Sequence, residues 1–164
     1  MVECLRKIFG TANIPPLVNR DVYEKILIAV DGSEPSFKAI DYGVNLAKRF
    51  DSSITLLTVI DEFKLPFAAE YGLWGDESRN ELMRKVLESL NEVVNRISWK
   101  EEVKIDAMMK EGRPAEVIVE TAWENGFVLI IMGHRGYGLM KDLVLGSVSQ
   151  EVVNNSRIPV LVVK

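Results

Sequence analysis

Short apolar runs of strand length, separated by stretches with helical spacing, constrain this chain more than any other feature. Residues 25–31 (KILIAVD), 53–60 (SITLLTVI), 127–132 (FVLIIM) and 159–163 (PVLVV) are nearly continuous apolar runs. Such runs belong to strands buried on both faces of a parallel sheet, because a half-solvated strand would alternate. Residues 103–110 do alternate and predict one more strand. Between the runs, residues 35–50 place Phe37, Ile40, Val44, Leu46 and Ala47 at helical spacing, with Ser33 predicted as N-cap and Pro35 in the first turn. Residues 77–98 form a long amphipathic pattern, Gly112-Arg113-Pro114 opens a helix carrying Val117, Ile118 and Ala122, and residues 145–155 read as a short last helix.

The resulting order, β-α-β-α-β-α-β-α-β, predicts an α/β fold. It is a single Rossmann-like domain, a five-stranded parallel sheet with helices on both faces. Right-handed crossovers leave few topologies. Ligands in such sheets sit outside the carboxyl ends of the strands, where strand order reverses. The loops after Asp31, Ile60, Lys110 and Met132 are therefore the ones to examine. Residues 1–20, with Pro15-Pro16, precede the pattern and read as an N-terminal arm before a domain over residues 21–164. Val2, Leu5, Ile8 and Phe9 make one apolar helical stripe there, suited to docking on the domain or on a partner; the alternative is a frayed terminus.

Composition narrows the function classes. With 48% apolar and 27% charged residues among 164, the chain can bury a full core. Its net charge of −4 offers no general attraction to nucleic acid or to an anionic membrane, and neither is expected as a partner. A local anion site remains open to it, since backbone N–H groups bind phosphate without net positive charge. One cysteine and one histidine supply neither a disulfide nor a metal cluster of those residues. No run approaches the roughly 20 apolar residues of a membrane span, and the start does not read as a secretory signal. The expectation is a cytoplasmic protein.

The chemistry concentrates in residues 133–147. Strand four runs into Gly133-His134-Arg135-Gly136; nine residues follow, then Gly146-Ser147. Glycine lets the main chain approach a ligand closely, and the N–H groups so exposed point at phosphate oxygens. Gly146-Ser147 opens the last helix, where unpaired N–H groups and the dipole favour an anion. The competing reading is a capping box, Ser147-x-x-Gln150, with Gly133 as a tight strand exit. The spacing is neither a Walker A loop nor the dinucleotide fingerprint.

Three stretches together resemble the ATP-binding branch of the universal stress protein family: Met132-Gly-His-Arg-Gly followed by Leu145-Gly-Ser-Val-Ser and Ile158-Pro-Val-Leu-Val-Val; Ile28-Ala-Val-Asp-Gly-Ser-Glu-Pro-Ser; and Glu111-Gly-Arg-Pro-Ala-Glu. The likeness covers residues 22–164. It implies strand order 3-2-1-4-5, a homodimer joined through residues 159–163, and ATP or another adenine nucleotide as ligand with Mg²⁺ or Mn²⁺. By the same resemblance, Asp31 contacts the ribose or the metal and phosphates, and Val59 holds adenine through its backbone. Ala29 and Met132 line the base and sugar pocket. Gly133, Gly136, Gly146, Ser147 and Val148 wrap the phosphates. The family often has histidine just before the second glycine; here Arg135 stands there, either adding charge near phosphate or pointing to solvent.

Other features carry less. Asp31 followed by Gly32 is also a common turn pair. His134 reads as a solvated loop side chain rather than a general base, and no catalytic residue is assigned. The aromatic connection over residues 61–80 suits either a lid over the nucleotide or a self-packed loop. Three functions follow: a nucleotide-dependent regulatory or stress-response switch acting on an unidentified protein partner, a slow ATPase or nucleotidyl-transfer enzyme, or an interaction module with a structural glycine loop. Phosphoryl transfer needs charge neutralisation and a positioned nucleophile. The motifs offer donors and one carboxylate, without a P-loop lysine, which favours the switch.

Overall fold

A computed structural model describes residues 24–61, 76–136 and 145–164. The expected arm at 1–20, most of the aromatic connection at 61–80, and the bridge 137–144 lie outside the described residues. Nine elements follow in order: β1 (Lys25–Ala29), α1 (Glu34–Phe50), β2 (Ser53–Ile60), α2 (Asp76–Glu101), β3 (Ile105–Glu111), α3 (Pro114–Glu124), β4 (Leu129–Gly133), α4 (Ser147–Asn155) and β5 (Val160–Val163). The strands form one sheet of order β3-β2-β1-β4-β5 with every pairing parallel. Fold class and strand order agree with the expectation.

The sheet separates two apolar layers, which explains why the strands do not alternate in sequence. Ile26, Ile28, Ile54, Leu56, Leu129 and Ile131 face α1 and α2. Leu27, Leu57, Ile130 and Met132 face α3 and α4. Successive side chains on one strand point to opposite faces, so Ile26, Leu27 and Ile28 are all fully buried. The six-residue contribution to the first layer alone would leave the sheet half wet; both faces must be covered for these strands to be stable.

The boundaries moved at the carboxyl ends of the strands. β1 closes at Ala29, two residues before Asp31, although Val30 N–H still reaches Leu57 O at 2.8 Å. Asp31 therefore sits in the loop rather than in the ladder. Ser33 occupies the N-cap position of α1 but does not cap it. Its hydroxyl donates to Asp31 Oδ1 at 2.6 Å instead, a charge-assisted bond stronger than a neutral cap. On the outer side of α2, Arg84 bridges Glu81 and Glu88. Arg84, and then Lys85, hold the Glu81 carboxyl down to about 2.

Gly43 lets α1 lie close on β1. A Cβ there would overlap Ile28 Cδ1 and stand 3.4 Å from Ile131 Cδ1, and both side chains are fully buried. Alanine would gain about 1 kcal/mol in helix propensity, so the glycine is retained in a helix interior against its own propensity. Gly43→Leu is expected to lower unfolding free energy by about 1–3 kcal/mol through overpacking. Urea denaturation followed by circular dichroism reads this directly; an unchanged midpoint would show that α1 has room to lift.

Candidate functional site

Strand order reverses between β1 and β4, which run parallel. The connection after β1 leads through α1 to β2 on one side, and the connection after β4 leads through α4 to β5 on the other. The two loops leave the adjacent carboxyl ends and bound a crevice, the place where ligands bind in open parallel sheets.

The loops touch at two points. Gly133 ends β4 under the first turn of α1: a Cβ on it would lie 2.8 Å from Pro35 C and 3.0 Å from Ser36 N. Main-chain atoms cannot yield as a side-chain tip can, so the contact admits only glycine. Further out, a Cβ on Gly136 would overlap Asp31 Oδ2. Asp31 is exposed, and its Oδ1 accepts the Ser33 N–H at 3.0 Å and the Ser33 hydroxyl. One carboxylate oxygen thus organises its own turn while the other faces the loop after β4. Thr58 Oγ1 donates to Val30 O at 2.8 Å and fixes the exit of β1 from the neighbouring strand.

His134 joins this crevice to the last two elements. Its N–H donates to Val163 O at 2.7 Å. Its carbonyl accepts the Gly146 N–H at 2.8 Å and the buried Ser149 hydroxyl at 2.8 Å. The ring Nδ1 lies 3.2 Å from the same Val163 carbonyl. A carbonyl only accepts, so Nδ1 carries the hydrogen in that bond. His134 is half-buried and engaged with β5, not the solvated loop side chain expected from the sequence.

These bonds bring the start of α4 beside the β4 loop. Gly146 is the N-cap residue, in extended conformation (φ −71°, ψ 160°), and no side chain caps the helix. Ser147 is the first helical residue and exposed, one position past the cap, so the capping-box alternative does not hold. Gln150 N–H bonds Gly146 O at 2.9 Å, as in any first turn. The N–H groups of Ser147, Val148 and Ser149 have no intrahelical acceptor in α-helical geometry, and the dipole adds positive potential there.

The floor of the crevice is apolar. Ala29 and Met132 are register partners on β1 and β4. Val59 and Val148 pack into the same layer. All ten residues named from the sequence therefore gather at one end of the sheet. Ala29, Val59, Met132 and Val148 form the floor; Asp31, Gly133, Arg135, Gly136, Gly146 and Ser147 form the rim. Arg135 is half-buried rather than turned to solvent. The sequence reading missed Ser33 and Ser149 as organisers. Their signal was position alone, serine within three residues of a site aspartate and of a helix-opening glycine.

Among the described residues no group of three or more His, Cys, Asp or Glu stands in metal-binding arrangement, and no helix is long and apolar enough to cross a membrane. The model of the universal stress protein family matches residues 22–164. Universal stress protein MJ0531 of Methanocaldococcus jannaschii is 35% identical over 144 residues, covering 88% of this chain and 84% of its own. Universal stress protein YxiE of Bacillus subtilis is 34% identical, covering 87% and 100%. The solved structure of MJ0577, also from M. jannaschii, superposes with a TM-score of 0.66 at 33% identity, covering 87% and 96%. Two more distant universal stress protein structures share the fold at TM-score 0.61. One is a complex with cAMP, at 23% identity and covering 86% and 96%. The other, from Archaeoglobus fulgidus, is a complex with dAMP, at 22% identity and covering 87% and 99%. Fold, motif order and sequence likeness agree along the same span, and the chain belongs to the universal stress protein family.

Proposed function

We propose that this protein binds ATP in the crevice between β1 and β4 and acts as a nucleotide-dependent switch in a stress response. One observation carries the reading: the uncapped N-terminus of α4 lies beside the glycine loop after β4, at the point where strand order reverses. Three N–H groups and a helix dipole at that terminus offer what binds a phosphate chain. The apolar floor of Ala29, Val59, Met132 and Val148 suits a purine and ribose, with the Val59 backbone meeting the adenine edge. Gly133, Gly136, Gly146 and Ser147 wrap the phosphates, and Arg135 lies close by. Adenine nucleotides in the related cAMP and dAMP complexes support the choice of base.

Asp31 fits a divalent ion. It is exposed, and Oδ2 faces the phosphate loop while Oδ1 is held by Ser33. A single carboxylate suits Mg²⁺ or Mn²⁺, which keeps several waters and takes further ligands from phosphate. Bound there, the ion would neutralise phosphate charge.

The switch is favoured over the slow ATPase or nucleotidyl-transfer enzyme. Backbone donors and one shared carboxylate hold phosphates, whereas cleavage also needs a positioned nucleophile. Output would pass to a protein partner through β5, to which His134 ties the crevice. β5 is an edge strand, and an unpaired apolar edge is an association hazard. We assign it to an antiparallel homodimer in the cytoplasm.

Two substitutions separate binding from folding. Ser147→Asp sets a carboxylate at the exposed first position of α4. It is expected to leave the melting temperature unchanged or raised, since an anion there adds about 0.3–1 kcal/mol, and to weaken ATP binding at least tenfold by calorimetry. Undiminished affinity would remove the phosphate site from α4. Gly133→Ala forces main chain apart and is expected to lower both stability and affinity.

Phosphate release at saturating Mg-ATP is expected well below the roughly 10 s⁻¹ typical of enzymes; faster turnover would favour the enzyme. Light scattering is expected to give twice the 18.5 kDa chain mass. A monomer at high concentration would contradict pairing through β5.

A further inference from the structure

On the face away from the apolar floor, α1 and α2 leave a groove of about 740 Å³ between them. Phe37, Ile40 and Val44 form one wall, Val93 and Ile97 the other. Phe37 is 44% exposed at the mouth of the groove. The rim carries one acid, Asp41, and one base, Arg96. The groove's volume is in the range of small-molecule sites, but those converge a few polar groups on an enclosed ligand. This one is open along its length between two helices, which is the shape that receives an amphipathic helix.

We propose that the chain's own N-terminal segment, residues 1–9, docks in this groove as a short helix. The segment lies before the family domain, which begins at residue 22. Val2, Leu5 and Phe9 fall on one helical stripe, flanked by Ile8, and spacing of this kind anchors a helix in a groove. Glu3 is opposite in charge to Arg96, and Arg6 and Lys7 are opposite in charge to Asp41. Lengths agree as well. The wall from Phe37 to Val44 runs about 10 Å along α1, and a nine-residue helix is about 14 Å long.

The tether reaches. The described chain begins at Glu24, whose carbonyl accepts the Ser53 N–H at the amino edge of the sheet. Residues 10–23 span up to about 45 Å when extended, against a radius of gyration of about 14 Å for a domain of this size. A tethered segment meets its groove at an effective concentration on the order of millimolar. That gives it the advantage over a second copy or a separate partner. An isolated helix this short is not stable in water, so the groove and the stripe each supply what the other lacks.

Cys4 is the chain's one cysteine and provides the probe. A nitroxide attached to it in the full chain is expected to reduce the methyl signals of Ile40, Val44, Val93 and Ile97 several-fold. Ile118 and Val152, on the opposite face, would keep theirs. Leu5→Glu with Ile8→Glu should restore the lost signals, with unchanged methyl dispersion showing that the domain is folded. No selective loss, or loss that survives the double substitution, overturns the proposal. A mixture of spin-labelled chain at natural isotope abundance with methyl-labelled Cys4→Ser chain tests the second copy. Broadening in that mixture would assign the groove to another molecule and overturn docking in cis.

Discussion

Much of this molecule depends on the contact between the end of β4 and the start of α1. β1 and β4 are neighbours whose connections depart in opposite directions, so no crossover covers the space beyond their carboxyl ends. The crevice stays narrow because Gly133 lets the main chain of Pro35 and Ser36 come within van der Waals contact. A side chain at 133 would push α1 outward and with it the turn that holds Asp31. The packing reading of Gly133 and its reading as a ligand-facing glycine are therefore not rivals. The close approach is what brings one loop near enough to the other to make a single site.

The anion site proposed for this acidic protein would be a contradiction if side-chain charge alone set local potential. Here the groups facing the crevice are peptide dipoles. Three N–H groups of α4 and the helix dipole produce positive potential over a few ångströms, while a net charge of −4 spread over the surface is screened by salt within about 10 Å. Asp31 is the exception, a negative group on the rim. Its Oδ1 is satisfied by Ser33, while Oδ2 faces the loop after β4, where the proposed cation would sit.

The fold was legible because both faces of the sheet are covered. Uninterrupted runs such as SITLLTVI have no other stable use at that length, and the helical stretches between them dictate the crossovers. Strand ends were less legible. Nothing in KILIAVD distinguishes the residue where pairing stops, because Val30 keeps a ladder bond after the strand closes. The glycines on the rim were picked out by their spacing, which reports main-chain needs, whereas Asp31 and Arg135 were named from the family resemblance. Ser33, Ser149 and His134 were misread or missed for a different reason. Their roles depend on which carbonyl or carboxylate lies within 3 Å after folding, and Val163 is 29 residues from His134. A helix-capping serine and a carboxylate-bonding serine look alike until the fold offers both partners and the charged one wins.

That competition also bears on how ligand binding couples to stability. α1 and α4 both open without a side-chain cap, although serine stands at or beside each cap position. A missing cap typically forgoes about 1 kcal/mol. In α1 the serine is diverted to Asp31. In α4 the cap residue is Gly146, whose carbonyl accepts Gln150 N–H and whose own N–H is spent on His134. The first turn of α4 is thus left with donors that no residue of the helix answers. An anion that occupies them supplies the cap that the sequence withholds. Its binding free energy then includes the stabilisation of α4, and through His134 and Val163 it extends to β5. The edge strand and the crevice are linked through His134, which bonds Gly146 and Ser149 on one side and Val163 on the other, and through the direct pairing of Met132 and Gly133 with Val162 and Val163; the proposed switch would act along this path.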